Sequence, residues 1–405
     1  MAPPVAAMLM AFSCSLLSGK TAVLWTDRPE FAFYAAEFNT VQDQYKIEVR
    51  YFDSPARELV RQGDHPDIVA GSWLKSASTR AFFKPLDRFF GKDFSAFYPR
   101  LLAMGSIDDK QFLLPVSFNI PALIFARDKA GLLSNPFTIG FAEMKQLGRD
   151  YNIEKDGVYT RMGFSPVWDD NFLFITAVLF RVSFREAEPL AWDAIALERA
   201  MSFVYDWINE VNTGSQAGED FYFKYFYQPP ERLALSERIL FTYMGSDEFF
   251  TLPEERQGSL DFRWIAENGS IPLAESAVYL GLPKKGKAPN AASAFVRWFY
   301  QAETQRRLLE QSKDTRAIET SFGVSGGFSA LRPVTEQIFP LFYPGLLGHM
   351  PPEDFLAPAN ILPGNWTTLK ERVLLPYLRD RARSPDRRGV YPLERRLADW
   401  QRVNG

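Results

Sequence analysis

The sequence predicts an α/β protein built in two lobes, and three observations carry that prediction. From Thr21 to Ala70, short apolar runs alternate with helix-forming stretches in the order strand, helix, strand, helix, strand. From Gln111 to Asp128, two apolar runs are joined across a kinked polar middle. The chain also has 405 residues, more than one hydrophobic core usually serves, so two domains are expected.

Thr21 to Thr26, TAVLWT, reads as a buried strand, and Asp27-Arg28-Pro29-Glu30 as a turn leading into a helix through Phe38. Pro29 suits a first helical turn, where its missing N–H loses no bond, and Glu30 favours the helix's positive end. Ile47 to Phe52 alternates as a second strand, Ser54 to Gln62 reads as a helix, and Asp67 to Ala70 as a third strand. This order implies a parallel sheet. Such sheets bind ligands beyond the carboxyl ends of their strands, which selects Thr26 to Glu30 and Gly71 to Lys75.

In the later stretch, Leu113 to Val116 and Ala122 to Phe125 are continuous apolar runs, as in strands buried on both faces. Pro121 has no amide hydrogen and pushes Ile120 toward extended geometry, so the strand ladder should break there. Two readings stay open. Either the chain leaves one sheet for another, placing Ser117 and Asn119 at the floor of a cleft between lobes, or one long buried strand carries a bulge.

A net charge of −3 argues against a dedicated nucleic-acid surface. With 36 Phe, 16 Tyr and 9 Trp there are rings enough to fill two cores and still line a ligand site. Two histidines are too few for a histidine-rich metal site, no cofactor motif stands out, and no apolar run is long enough to span a membrane. The sole cysteine, Cys14, has no intramolecular disulfide partner. It follows the apolar run Val5 to Phe12 and Ser13, the outline of an exported lipoprotein's leader, although no Lys or Arg precedes the run. Lipidation at Cys14 and a membrane anchor are therefore expected; an incidental cysteine in an apolar tail is the alternative. Arg379 to Arg388 reads as a solvated basic loop, and Pro392 to Val403 as a closing amphipathic helix.

A strand with Trp25 near its end, the acidic turn after it, Glu48 to Phe52, Gly63-Asp64-His65-Pro66-Asp67-Ile68 and Pro85-Leu86-Asp87 occur in a telling order. So do Leu114-Pro115-Val116, Pro121-Ala122-Leu123 and Ala126-Arg127-Asp128, then Tyr243-Met244-Gly245-Ser246, Leu280 to Lys285, Asn290-Ala291-Ala292 with Phe295, and Ser325 to Ala330. Together, over residues 20 to 400, the chain resembles the family 1 extracellular solute-binding proteins of ABC importers, the maltose-binding-protein-like sugar binders. The resemblance implies a two-lobed periplasmic-binding-protein fold with three interlobe crossings, near Val116 to Ile120, Glu275 to Tyr279 and Ser325 to Ala330. Residues 1–20 would be leader and tether, 21–117 and 279–325 the first lobe, 118–278 and 326–405 the second. It also implies a monomer outside the cytoplasm that delivers a small ligand, a sugar or polyol, to an ABC permease.

The candidate ligand residues are Asp27, Arg28, Glu30, Ser72, Trp73, Asn119, Trp168, Asp247 and Trp366. Carboxylates accept sugar hydroxyls, Arg donates to them, and Trp rings stack on them. Asp169 reads as a helix cap beside Trp168. Asp247-Glu248 departs from the family, where Trp commonly follows Met-x-Gly-x, and Trp366 is the candidate replacement ring. Competing classes are the same fold with a polyamine, peptide or anion as ligand, and a glycoside-acting enzyme using Asp27 and Asp247 as a carboxylate pair. No nucleophile with a partnering histidine and no phosphate-cradling Gly-Lys motif supports an enzyme.

Overall fold

The computed structural model describes residues 19–61, 63, 65–87, 94–315 and 320–404. The chain divides into two compact units, one made of the residues up to Phe118 and Ser276–Phe342, the other of Asn119–Glu275 and the residues from Tyr343 on. The expected leader and Cys14 lie outside the described residues.

The first unit opens with β1 (Thr21–Thr26), α1 (Glu30–Val41), β2 (Lys46–Tyr51), α2 (Pro55–Arg61), β3 (Ile68–Gly71) and, later, β4 (Leu113–Phe118). Helix α1 buries Phe31, Tyr34, Ala35 and Phe38, the three-and-four spacing of one helical stripe. It stops where Gln42 turns extended, and the Gln42 side chain donates back to the Phe38 carbonyl at 3.1 Å.

In the second unit come β5 (Pro121–Ala126), β6 (Thr138–Ile139), α3 (Phe141–Tyr151), α4 (Asp170–Leu179), α5 (Ala194–Val211), α6 (Ser215–Tyr225), β7 (Thr242–Gly245) and β8 (Leu260–Ile265). The chain then returns to the first unit with β9 (Val278–Gly281), α7 (Pro289–Phe299), α8 (Ala302–Asp314) and β10 (Phe328–Ser329). It ends in the second with α9 (Leu375–Ala382) and α10 (Leu393–Asn404).

Among the described residues the first unit's sheet has six strands in the order β10-β4-β9-β3-β1-β2, with β1 parallel to both β2 and β3. Asp67 ties this edge together: its carboxylate accepts from Val23 N at 2.9 Å and from Ala288 N at 2.6 Å. Rings of α1 and α7 pack on each other, Phe38 on Phe295 and Phe31 on Phe299, pairs of a kind worth about 0.5–1.5 kcal/mol each beyond their burial. The second unit's sheet runs β7-β5-β8-β6.

The polar middle at 117–121 is thus a change of sheet rather than a bulge in one strand. β4 belongs to the first sheet and β5 to the second, and every residue of both strands is buried. Pro115 sits inside a central strand, where the pairing of β4 with β9 shifts register between Val278 and Tyr279.

Two sequence expectations change here. The last unit boundary falls after Phe342 rather than after Ser325, because β10 pairs Phe328 with Phe118 and Ser329 with Ser117 and so stays in the first sheet. Arg379 to Arg388 is not simply a solvated loop. Its first residues finish α9, and the fully buried Arg381 ion-pairs with Glu198 and donates to the carbonyls of Ser384 and Asp386 at 2.9 Å. That expectation came from counting charges, and charge alone cannot show that a guanidinium has found a buried acceptor set.

Candidate functional site

In the first unit, the loops leaving β1 and β3 meet the chain around Ser276 and Ser321 to Gly326. The Asp27 carboxylate accepts from Ser72 N at 3.2 Å and lies 3.3 Å from Arg28 Nε. Arg28 Nη2 donates to Ser72 Oγ at 2.9 Å, and Ser72 Oγ donates onward to the Ser276 carbonyl at 3.0 Å. Gly71 makes room for this: a side chain there would come within 2.9 Å of the Asp27 carboxylate and 2.8 Å of Pro55. Burial pushes the Asp27 carboxyl up, and Arg28 beside it only partly offsets that.

Glu30 accepts from Ser321 Oγ, while Ser325 N donates to Tyr34 Oη at 2.9 Å and Ser117 Oγ donates to the Ser325 carbonyl at 3.1 Å. Ser325 and Gly326 both have positive φ, 51° and 73°, as the two central residues of a tight hairpin turn closed by Val324 and Gly327. Glu30 Oε2 and Ser325 Oγ are buried without a hydrogen-bond partner, unused capacity that a ligand hydroxyl or water would satisfy. Trp73 adopts φ +64°, a conformation bulky residues avoid and one that concentrates at ligand sites.

The same loop holds Lys75, whose ammonium lies 4.4 Å from the centre of the buried Tyr279 ring. Burial lowers its pKa to about 8. Lys75 was within the Gly71 to Lys75 stretch that the sheet rule selected, yet no local pattern distinguishes a desolvated lysine from a surface one.

In the second unit a different cluster forms around Tyr243 on β7. Burial holds its phenol well above the usual range, and the carboxylates of Asp169, Glu248, Glu275 and Asp247 add to that. Asp169 caps α4, accepting from Asn171 N at 2.7 Å and Phe172 N at 3.3 Å. Asp170 turns away to Arg379, so the adjacent carboxylates do not form an acid–base pair. Glu248 folds back to accept from Gly245 N at 3.0 Å, and desolvation of that tucked carboxylate raises its pKa, as burial does for Asp169. Both Glu248 and Asp247 are exposed as residues, so only the Glu248 carboxylate's bond to the backbone sets it apart.

Asn119 Oδ1 accepts from Ser246 Oγ at 2.7 Å, and Ser246 Oγ accepts from Ile120 N at 3.2 Å, which pins the crossover to the start of the helical turn after β7. Trp168 is half-buried, stacked on Phe221 with centroids 5.7 Å apart and tilted on Phe226 at 4.9 Å. Trp366 departs from its expected role as a replacement platform. It is fully buried, packed between Phe174 and Phe184, and its indole N–H donates to Glu275 at 3.3 Å. The turn at Pro363 to Asn365 starts a helix that aims this ring into the core, where its N–H finds an acceptor. Glu275 also pairs with Lys370. Among the described residues, no group of three His, Cys, Asp or Glu is placed to hold a metal, and no helix is long and apolar enough to cross a membrane.

Each unit thus gathers its own candidates: Asp27, Arg28, Glu30, Ser72 and Trp73 in the first, Asn119, Trp168 and Asp247 in the second. Lys75, Tyr243, Glu275 and Lys370 were missed. Tyr243 could have been found, since it begins the Met-x-Gly segment noted in the sequence.

No protein-family model matches the chain, and no curated protein matches it in sequence. Solved structures do. The sugar-binding protein MalE from Xanthomonas citri superposes with a TM-score of 0.62 at 13% identity, covering 95% of this chain and 96% of that one. An ABC substrate-binding protein from Listeria monocytogenes in complex with cycloalternan gives 0.61 at 14%, covering 95% and 97%. The cyclic α-maltosyl-1,6-maltose binding protein from Arthrobacter globiformis gives 0.61 at 16%, with the same coverage. Identities this low show the fold, and the fold is the α/β architecture of periplasmic solute-binding proteins over nearly the whole chain.

Proposed function

We propose that the protein is the extracytoplasmic substrate-binding component of an ABC importer, that it binds a carbohydrate or polyol, and that it performs no catalysis. The observation that carries this reading is the full-length likeness in fold to proteins named for, or bound to, oligosaccharides. The local chemistry agrees. The first unit offers a donor in Arg28 and acceptors in Asp27 and Glu30, and the second offers carboxylate acceptors beside a tryptophan.

The mechanism is hinge closure, in which contacts from both units favour the ligand-bound state by their difference in binding energy. Delivery is to a membrane permease, with the protein, a monomer, tethered by lipid at Cys14. A Cys14→Ser protein that fractionates with membranes as well as wild type would remove the tether from this account.

A thermal-shift screen across sugars, polyols and polyamines, followed by calorimetry, tests the ligand class. Stoichiometric sugar binding without product release is the expected result; release of cleaved sugar would replace it with a glycoside-acting enzyme. Asp247→Ala should weaken binding by about 1–3 kcal/mol with unchanged melting of the free protein, whereas Trp168→Ala should weaken binding by a similar amount and also lower the melting temperature, because its ring packs on Phe221 and Phe226. The carboxylates around Tyr243 favour one second reading, a cationic ligand such as a polyamine, and a shift by polyamines alone would select it.

A further inference from the structure

Lysines of the first unit gather at one end of its sheet. The connection from β9 to α7 carries Lys284, Lys285 and Lys287, all exposed, while Lys20 just before β1 and Lys46 at the start of β2 are exposed too. Hydrogen bonds hold these segments together. Lys46 N donates to the Lys20 carbonyl at 2.8 Å, and the Asp67 carboxylate joins Ala288 N to Val23 N. Because β9 runs antiparallel to β3, its connection lies at the amino ends of β1, β2 and β3, opposite Asp27, Arg28 and Ser72. The exposed carboxylates nearby in the chain are Asp43 and Glu48, and Glu48 pairs with Lys46 at 3.3 Å. Counting also Asp64, which lies outside the described residues, the lysines still outnumber the acids, in a chain whose net charge is −3. The fold gains nothing from this. Positive charge just before a helix start opposes the dipole of α7, and like charges this close in sequence repel.

The course of the chain selects the occupant. It enters β1 through Lys20, so the segment bearing Cys14 joins the unit at the same end as the lysines. From Cys14 to Lys20 the backbone can reach at most about 20 Å. A lipid on Cys14 would therefore hold this end of the sheet close enough to a bilayer for the lysines to meet its headgroups. We propose that the amino ends of β1, β2 and β3, with Lys20, Lys46, Lys284, Lys285 and Lys287, form a docking surface for anionic lipid headgroups. This rests on the tether proposed above and adds an electrostatic contact that orients the tethered protein. Asp27, Arg28 and Ser72, at the opposite ends of the same strands, then face away from the bilayer.

Co-sedimentation with vesicles tests this, using full-length Cys14→Ser protein so that no lipid on the chain contributes. The vesicles are phosphatidylcholine, with and without phosphatidylglycerol. At low salt the protein should partition about tenfold or more in favour of the anionic vesicles, and the preference should vanish near 1 M salt, where screening acts within about 3 Å. Binding through the apolar run before Cys14 would not distinguish the two. Substituting Lys20→Gln, Lys284→Gln and Lys285→Gln together should remove most of the preference without changing the melting temperature, because all three side chains are exposed. A control with Lys110→Gln, Lys155→Gln and Lys224→Gln removes the same charge elsewhere and should keep it. Equal partition onto both vesicles overturns the proposal. So do equal losses in the two triple variants, since net charge alone would then explain binding. A salt-sensitive dimer without vesicle preference assigns the lysines to an acidic face of a second copy and also overturns it. The tether is read separately, by washing membranes of a lipoprotein-processing host that expresses wild type. Release by high salt removes the tether and leaves the headgroup contact, whereas retention there without vesicle preference for Cys14→Ser leaves the tether and removes the contact.

Discussion

The polar clusters of the two units solve the same electrostatic problem differently. In the first, charges answer one another: Asp27 faces Arg28, Glu30 accepts from Ser321, and Lys75 lies over a ring. In the second, carboxylates gather around Tyr243, and the basic residue paired among them is Lys370, with Glu275. There Asp169 and Glu248 are satisfied by backbone N–H groups at helix starts. A cap supplies hydrogen bonds to a carboxylate without supplying a full positive charge. The first cluster can therefore both donate to and accept from a ligand, whereas the second mainly accepts and keeps its surplus negative charge.

The largest effect expected is from Trp366→Ala, which should cost about 3–5 kcal/mol of stability, because a fully buried ring leaves a cavity and Glu275, still paired with Lys370, loses one of its donors. Chemical denaturation measures it. A variant with wild-type stability and weakened ligand binding would restore Trp366 as a platform and undo the division between its ring and that of Trp168.

Arg28→Ala should cost about 1–3 kcal/mol near neutral pH, since it removes the donor to Ser72 and the charge beside Asp27. The deficit should shrink on acidification. The folded-state Asp27 carboxyl already titrates above its unfolded value of 3.8, and once protonated it no longer needs a cation. A deficit constant with pH would show that the pair is not charge-matched as described.

Lys75→Met should raise stability by about 1–2 kcal/mol at pH 7, allowing for the lysine's residual exposure. The sign follows from its pKa of about 8 against 10.5 unfolded. The unfolded chain binds more protons between those values, so the lysine's destabilisation is complete below pH 8 and fades as pH rises toward 10.5. The advantage of Lys75→Met should fade over that same window. If the variant is less stable at pH 7, the ammonium has a compensating partner and the first cluster is more tightly neutralised than its contacts indicate.

The smallest effect separates capping from charge in the second cluster. Asp169→Asn keeps an N-cap acceptor and removes one negative charge from beside Tyr243, so the free protein should gain up to about 0.5 kcal/mol at pH 7, whereas Asp169→Ala should lose about 1 kcal/mol. The folded Asp169 pKa is raised, so its unfavourable contribution is present above that pKa and is relieved as pH falls through it toward 3.8. Thermal melts of both variants from pH 3 to pH 8 check this. Equal losses for Asn and Ala would mean that the charge, not the cap, holds α4.

Much of the architecture follows from signals a few residues long. The TAVLWT run, the Pro29-Glu30 helix start, the alternation at Ile47 to Phe52 and the Pro121 break each act through backbone geometry or side-chain period, so β1, α1, β2 and the change from β4 to β5 were legible from composition and spacing. The parallel order also selected the carboxyl ends of β1 and β3, where the structure gathers Asp27, Arg28 and Ser72 into one polar cluster. Trp366, Arg381 and Lys75 were not legible in this way. A tryptophan after a turn reads the same whether it faces solvent or the core, and an arginine in a basic run reads the same whether or not Glu198 waits for it. Their roles are set by partners far away in the chain: Glu275 for Trp366, Glu198 for Arg381 and Tyr279 for Lys75. Local sequence encodes periodicity and turn chemistry, but desolvation and pairing depend on which distant groups folding brings within a few ångströms, and those two quantities decide whether a polar side chain serves the core or the site.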